Sequence, residues 1–150
     1  MAKKLAGECF GTFALVFAGT GAIVIDEVTG GGVSHIGIAL TFGLIVLAMV
    51  YTLGDISGAH INPAVTIGFW AARRFDARKV LPYIVSQCVG AFLASAILRM
   101  LFPVNLTLGA TIPAGPVLQS FILELILTAL LMFAILASQP AHEKKGSPLE

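Results

Sequence analysis

The chain has 150 residues, of which 57% are hydrophobic and 11% are charged, and its formal net charge is +1. Because soluble domains average about 25% charged residues, this composition excludes a soluble globular protein and predicts an integral membrane protein. The net charge by itself says nothing about nucleic acid, but no basic patch interleaved with aromatic residues occurs, so a nucleic-acid partner is not expected.

Four apolar runs are each close to the ~20 residues that cross a bilayer as a helix. We place these spans at residues 5–25, 36–53, 80–101 and 117–138. The first run is not a cleavable signal, because it is long, carries Glu8 and has no small-residue cleavage site. The sequence therefore predicts an all-α membrane protein with four transmembrane helices.

The tripeptide Asn62-Pro63-Ala64 lies between the second and third spans. Asn62 suits a helix N-cap and Pro63 suits the first helical position. A helix over residues 63–72 would be about 15 Å long, about half the hydrocarbon thickness. A simple capped connector would leave the apolar composition of this helix unexplained. We therefore predict a re-entrant loop over residues 55–72, whose half-helix begins near the membrane midplane.

Backbone polar groups at this depth must be bonded internally or line a water-filled cavity. We expect the Asn62 carboxamide to donate to passing water, while the positive end of the half-helix opposes protons and cations. The carbonyls before it, which would accept hydrogen bonds along the path, belong to Gly58, Ala59, His60 and Ile61.

Lysine and arginine are distributed unevenly between the two sides of the predicted membrane segments. Arg99 alone falls on the side opposite the N-terminus. The basic residues on the N-terminal side are Lys3, Lys4, Arg73, Arg74, Arg78, Lys79, Lys144 and Lys145. Since cytoplasmic segments are rich in Lys and Arg, both termini are predicted to be cytoplasmic.

A short internal repeat relates the first and fourth spans. Residues 8–12 (Glu-Cys-Phe-Gly-Thr) recur as residues 124–128 (Glu-Leu-Ile-Leu-Thr), and Phe-Ala at 17–18 recurs at 133–134. The two spans cross the membrane in opposite directions, which is the arrangement of an inverted repeat.

Together these residues resemble the aquaporins, the major intrinsic protein family, and in particular a bacterial-type water channel. Residues 8–12 are similar to the family's first-helix motif, and residues 57–66 (Ser-Gly-Ala-His-Ile-Asn-Pro-Ala-Val-Thr) to its first signature loop. Gln87 with Gly90-Ala91 is similar to the third-helix motif, Glu124 to the fourth-helix glutamate, and residues 140–146 to the following cytoplasmic loop.

The resemblance implies a right-handed helical bundle in the cell (inner) membrane, assembled as a homotetramer, that passes water and excludes protons. It assigns Asn62, Pro63 and Ala64 to the pore and Phe42 to the outer constriction, where glycerol-conducting members usually carry Trp. It assigns Glu8 and Gln87 to positioning the first re-entrant loop, and Glu124 to positioning a second.

The family's second Asn-Pro-Ala, its fifth and sixth helices and two residues of the outer constriction have no counterpart in these 150 residues. We therefore expect a chain truncated after the fourth transmembrane helix, with an incomplete inverted repeat. Its predicted parts are a first repeat (1–101), an extracytoplasmic loop (102–116), the first helix of a second repeat (117–138) and a cytoplasmic tail (139–150).

Other functions remain open at this stage. The chain could be a non-conducting subunit that packs with full-length relatives, or a channel for small neutral solutes such as glycerol. An enzyme is not expected, because no nucleophile–base pair occurs, and neither a cofactor nor a metal site is expected, because Cys9 and Cys88 lack metal-ligand spacing.

Overall fold

A computed structural model describes residues 1–138, so the predicted tail 139–150 lies outside the described residues. The helices are α1 (Ala2–Thr29), α2 (Ser34–Ser57), α3 (Pro63–Ala71), α4 (Ala77–Leu101) and α5 (Val117–Ser138). No strand occurs within residues 1–138. All but α3 are long and apolar enough to cross a membrane. The all-α prediction, with four membrane-crossing helices and one short helix, is confirmed.

Three of the helices are longer than the apolar runs predicted, because backbone caps rather than hydropathy set their ends. α1 continues to Thr29, where Gly30 at φ +66° closes it by donating to the carbonyls of Asp26 and Glu27. α2 continues to Ser57 and ends at Gly58. α4 begins three residues early, at Ala77, because the Asp76 side chain accepts from the Arg78 amide.

α1 is the central helix and packs along both α2 and α4. The two helices α1 and α4 approach closely at Gly90, where a Cβ would collide with the backbone carbonyl of Cys9. One turn away, the Ser86 hydroxyl donates to the carbonyl of Leu5 at 2.5 Å. This close approach brings polar side chains of α1 and α4 into contact inside the bundle.

The short helix α3 lies against α4 and α5. Among the described helices, α5 packs only on α3. Met132 of α5 covers Gly68 of α3, and the Arg74 guanidinium donates to the carbonyl of Leu136 at 3.0 Å. The short helix α3 and the residues that follow it therefore connect α5 to the rest of the bundle.

Large apolar side chains point outward along the long helices. Leu44 in α2, Phe92 in α4 and Leu123 in α5 are all more than half exposed. In water such surfaces would cause association, whereas in a bilayer they match the lipid tails. The outer surface is that of a multi-pass membrane protein.

Candidate functional site

The site begins at the N-terminus of α3. Asn62 has an extended backbone (φ −154°), and its Oδ1 accepts from the Ala64 amide at 2.8 Å. Pro63 occupies the first helical position, where its missing N–H costs nothing. The Asn62 Nδ2 group has no hydrogen-bond partner within residues 1–138. The cap therefore fixes the side chain through its oxygen and leaves its two N–H donors available.

The loop before Asn62 has an uncommon backbone. Gly58, Ala59 and Ile61 have φ values of +90°, +47° and +43°. For the two non-glycine residues this left-handed conformation costs roughly 1–2 kcal/mol each. Among residues 1–138, no donor reaches the carbonyls of Gly58, Ala59, His60 or Ile61. Such a backbone persists only where its surroundings hold it.

Glu8 of α1 stabilises this loop by accepting hydrogen bonds from its backbone. Its Oε1 accepts from the His60 amide at 3.0 Å, and its Oε2 accepts from the Ile61 amide at 2.7 Å. The carboxylate is 0% exposed, and it also accepts from Nε2 of Gln87 at 2.7 Å. Hydrogen bonds to an ionised group are roughly twice as strong as neutral ones. Three donors thus stabilise a carboxylate that would otherwise be costly to bury.

Thr66 extends this network to α3. Its hydroxyl donates to the carbonyl of Asn62 at 3.2 Å and accepts from Nε2 of Gln87 at 2.9 Å. His60 Nδ1 lies 3.1 Å from the same hydroxyl. Because the hydroxyl proton is used toward Asn62, the network assigns the proton of the imidazole to Nδ1. The loop, the helix cap and α4 are therefore joined through one threonine.

The His60 ring lies in an aromatic cage. Its centroid is 4.5 Å from that of Phe69, 4.6 Å from Phe75 and 5.3 Å from Tyr83. The Tyr83 hydroxyl donates to the carbonyl of Ser57 at 2.8 Å. His60 is buried, at 6% exposed, and its ring packs among these aromatic side chains.

A cavity of about 200 Å³ lies beside Asn62. It is mainly apolar, and its lining residues are Thr12, Leu15, Val16, Ile61, Asn62, Pro63, Gln87, Cys88 and Ala91. Two of the lining residues carry a buried polar atom without a hydrogen-bond partner within residues 1–138, namely Thr12 Oγ1 and Gln87 Oε1. The cavity therefore has mainly apolar walls and lies next to the free Asn62 donors. Ala64 is exposed and does not line it.

Phe42 and Glu124 lie apart from this network. The Phe42 ring packs on Gly19 of α1, leaving no room for a Cβ there. Gly19 is three residues beyond Val16, the last α1 residue that lines the cavity. Glu124 is exposed on α5, and its side chain makes no hydrogen bond within residues 1–138.

Sequence reasoning assigned no role to Thr66 or Tyr83. Thr66 could have been identified from its spacing, since a hydroxyl four residues after a helix cap can return to the capping carbonyl. Tyr83 is one of several aromatic residues in apolar sequence, and no local pattern marks it as the partner of Ser57. No group of three or more His, Cys, Asp or Glu residues that could hold a metal occurs within residues 1–138.

Comparison with known proteins gives consistent results. The family model described as "Major intrinsic protein" matches residues 1–149. Aquaporin Z of Photorhabdus laumondii is 43% identical over 160 aligned positions, covering 97% of this chain and 69% of that protein. Aquaporin NIP1-1 of Oryza sativa is 46% identical over 134 positions, covering 89% of this chain and 47% of that protein.

Among solved structures, the chain is similar to the aquaglyceroporin from Plasmodium falciparum. The TM-score is 0.62 at 34% identity, and the match covers 68% of this chain and 42% of that one. The chain spans about half the length of the plant relatives that it matches, including 49% of Nodulin-26 from Glycine max.

Proposed function

This chain belongs to the major intrinsic protein family, and we propose that it provides a membrane channel, or the channel-forming part of one, for passive and proton-excluding permeation of water. The observation that carries the proposal is the free Asn62 amide. It lies at the N-terminus of α3, beside a cavity with apolar walls. A neutral water can accept from this amide, whereas a proton or cation is opposed by the positive end of the helix.

The carbonyls of the loop before Asn62 also support the proposal. The four carbonyls of residues 58–61 accept no hydrogen bond within residues 1–138. Ala59, His60 and Ile61 are buried and Gly58 is exposed. Because a carbonyl that no protein donor reaches needs another partner, a row of them suits a path that water occupies. Asn62, Pro63 and the carbonyls of residues 58–61 would contact water in this proposal, while Ala64 would complete the half-helix tip.

Phe42 would form the aromatic part of the outer constriction. Its ring rests on Gly19, farther along α1 than the cavity beside Asn62. A phenylalanine there favours water over glycerol by resemblance to the family. Similarity to an aquaglyceroporin keeps glycerol as a second candidate substrate.

The uneven charge distribution supports a cell-membrane protein with cytoplasmic termini. The exposed apolar faces of α1 and α2 are compatible with a homotetramer, which is the assembly implied by the family.

Osmotic permeability of proteoliposomes tests the proposal. The complete protein, reconstituted at known density, should raise the rate of osmotic shrinkage well above that of empty liposomes, with a low activation energy and no increase in proton leak, whereas we expect residues 1–150 alone not to form a normal water pore. A glycerol gradient in the same vesicles distinguishes the second candidate. Water and glycerol rates equal to those of empty liposomes would favour a non-conducting subunit instead.

A further inference from the structure

The connection between α4 and α5, residues 102–116, is attached to α1 by a set of polar contacts that the channel proposal does not use. Glu27, near the end of α1, accepts from Nδ2 of Asn105 at 2.6 Å. The same carboxylate accepts from the Thr107 hydroxyl, at 3.2 Å on one oxygen and 3.3 Å on the other. We call Glu27, Asn105 and Thr107 the outer latch.

The latch also determines the shape of the loop. Asn105 Oδ1 accepts from the Leu108 amide at 2.7 Å, which closes a tight turn. On the opposite side, Arg99 of α4 donates to the carbonyl of Asn105 at 2.6 Å. Asn105 is therefore held from α1 through its side chain and from α4 through its backbone.

Beyond this turn the loop lies directly on α1. Gly109 is buried and has φ +71°, a conformation that L side chains rarely adopt. A Cβ at Gly109 would lie 2.6 Å from the carbonyl oxygen of Thr20. Only glycine permits this approach, so the loop backbone and the α1 backbone are in direct contact here.

The contact occurs at a particular level of α1. Thr20 is next to Gly19, on which the Phe42 ring packs. Thr20 also lies four residues, or about 6 Å of helix rise, beyond Val16, which lines the cavity beside Asn62. The loop therefore meets α1 on the outer side of that cavity, at the level of Phe42.

We propose that Glu27 is a positioning residue: through the outer latch it holds residues 105–109 against Thr20, and the held loop narrows the outer entrance beside Phe42 against solutes larger than water. This inference rests on the proposed channel function. Glu27 contacts no permeating molecule in this proposal, and it acts only through the loop. Loss of the latch should leave the Asn62 network intact and widen the entrance.

Two variants are designed to release the loop in different ways. Glu27→Ala removes the acceptor for Asn105 and Thr107, and Gly109→Ala pushes the loop off Thr20 without changing the latch. Thr111→Ala is the matched control, because Thr111 lies in the same loop, is exposed and makes no side-chain hydrogen bond within residues 1–138. For each variant, glycerol and water permeability are measured in proteoliposomes of equal protein density.

We expect the glycerol-to-water permeability ratio to rise severalfold in Glu27→Ala and in Gly109→Ala, and to stay at the wild-type value in Thr111→Ala. The two changes should not add in the double variant, because both release the same loop. Amide hydrogen exchange in residues 105–110 should be about tenfold faster without Glu27, since charged hydrogen bonds are worth at least that factor.

The outcomes separate the two proposals. If the wild-type protein conducts water but Glu27→Ala has the ratio of Thr111→Ala, the positioning role of Glu27 is wrong and the channel stands. Unchanged exchange in residues 105–110 would also overturn the role, because the latch would then not hold the loop. If the wild-type protein conducts neither solute, the channel proposal fails and this inference fails with it.

Discussion

At the scale of single residues, the main feature is how hydrogen bonds stabilise the buried carboxylate of Glu8. Its carboxylate is fully buried and accepts from two backbone amides and one side-chain amide. Every donor points toward an acceptor-only group, so the site is matched to an ionised carboxylate. Glu124, its counterpart in the internal repeat, is exposed and has no such partners within residues 1–138.

This difference predicts unequal effects of the same substitution. In Glu8→Gln the new NH₂ group must face at least one of the donors from His60, Ile61 or Gln87, which leaves buried N–H groups unpaired. We expect a loss of about 1–3 kcal/mol in the free energy of unfolding, seen as a lower Tm in detergent. Glu124→Gln is the control and should leave Tm nearly unchanged. Equal shifts in Tm would contradict the positioning role of Glu8.

Asn62 offers a second test at this scale. Asn62→Asp keeps the oxygen that caps the Ala64 amide, so α3 should still form. The change replaces the NH₂ group, with its two free N–H donors, by a negative oxygen. This charge offsets the positive potential at the N-terminus of the helix. We expect lower water permeability and weaker exclusion of cations in proteoliposomes, with little change in Tm. Wild-type values for both fluxes would remove Asn62 from the water path.

At the scale of secondary structure, glycines determine how closely the helices approach. Gly11 of α1 faces Leu53 of α2 and Ile61 of the loop, and Gly90 of α4 faces the Cys9 backbone. A Cβ at Gly11 would collide with the side chains of Leu53 and Ile61, whereas a Cβ at Gly90 would collide with the α1 backbone itself. Gly7 of α1 likewise lies against Ser57 at the end of α2.

Two glycine-to-alanine changes should therefore have opposite effects. In Gly90→Ala the Cβ meets the backbone carbonyl of Cys9, which cannot rotate away, so α1 and α4 must separate. We expect a loss of about 1–3 kcal/mol from overpacking. Gly54→Ala, in α2 with nothing within 4 Å of the new Cβ, should stabilise the helix by roughly 0.5–1 kcal/mol. Thermal unfolding in detergent measures both, and a Gly90→Ala variant as stable as the wild type would contradict the close α1–α4 contact.

At the scale of the whole molecule, the basic connection between α3 and α4 and the connection between α4 and α5 lie at opposite ends of α4. The loop between α3 and α4 carries Arg73, Arg74, Arg78 and Lys79 near the start of α4, while residues 102–116 follow its other end. If α4 crosses the membrane, these two connections lie on opposite faces. The positive-inside rule then predicts that the arginine-rich connection is cytoplasmic.

Labelling of single cysteines checks this orientation. In a variant lacking Cys9 and Cys88, a cysteine at Leu106, which is 87% exposed, should react with a membrane-impermeant maleimide added to intact cells. A cysteine at Lys79 should react only after the membrane is permeabilised. The reverse pattern would invert the proposed topology, and reaction at both positions in intact cells would contradict a crossing by α4.

Much of the fold could be predicted from the sequence because a bilayer restricts the choices. A long apolar run must form a helix to satisfy its backbone, so the four spans follow from hydropathy. Asn62 and Pro63 likewise define the start of α3, because a helix cap is a local interaction. The ends of α1, α2 and α4 were less well predicted, since they depend on caps at Gly30, Gly58 and Asp76.

The sequence by itself thus determined the protein class, the number of helices long and apolar enough to cross a membrane and the start of α3, because each depends on composition or on neighbours in the chain. Only the tertiary structure decided which distant groups meet. Glu8 meets His60 across 52 positions, Glu27 meets Asn105 across 78, and Gly109 lies on Thr20. These contacts depend on how the helices pack, and packing is a property of the assembled side chains that no local pattern records.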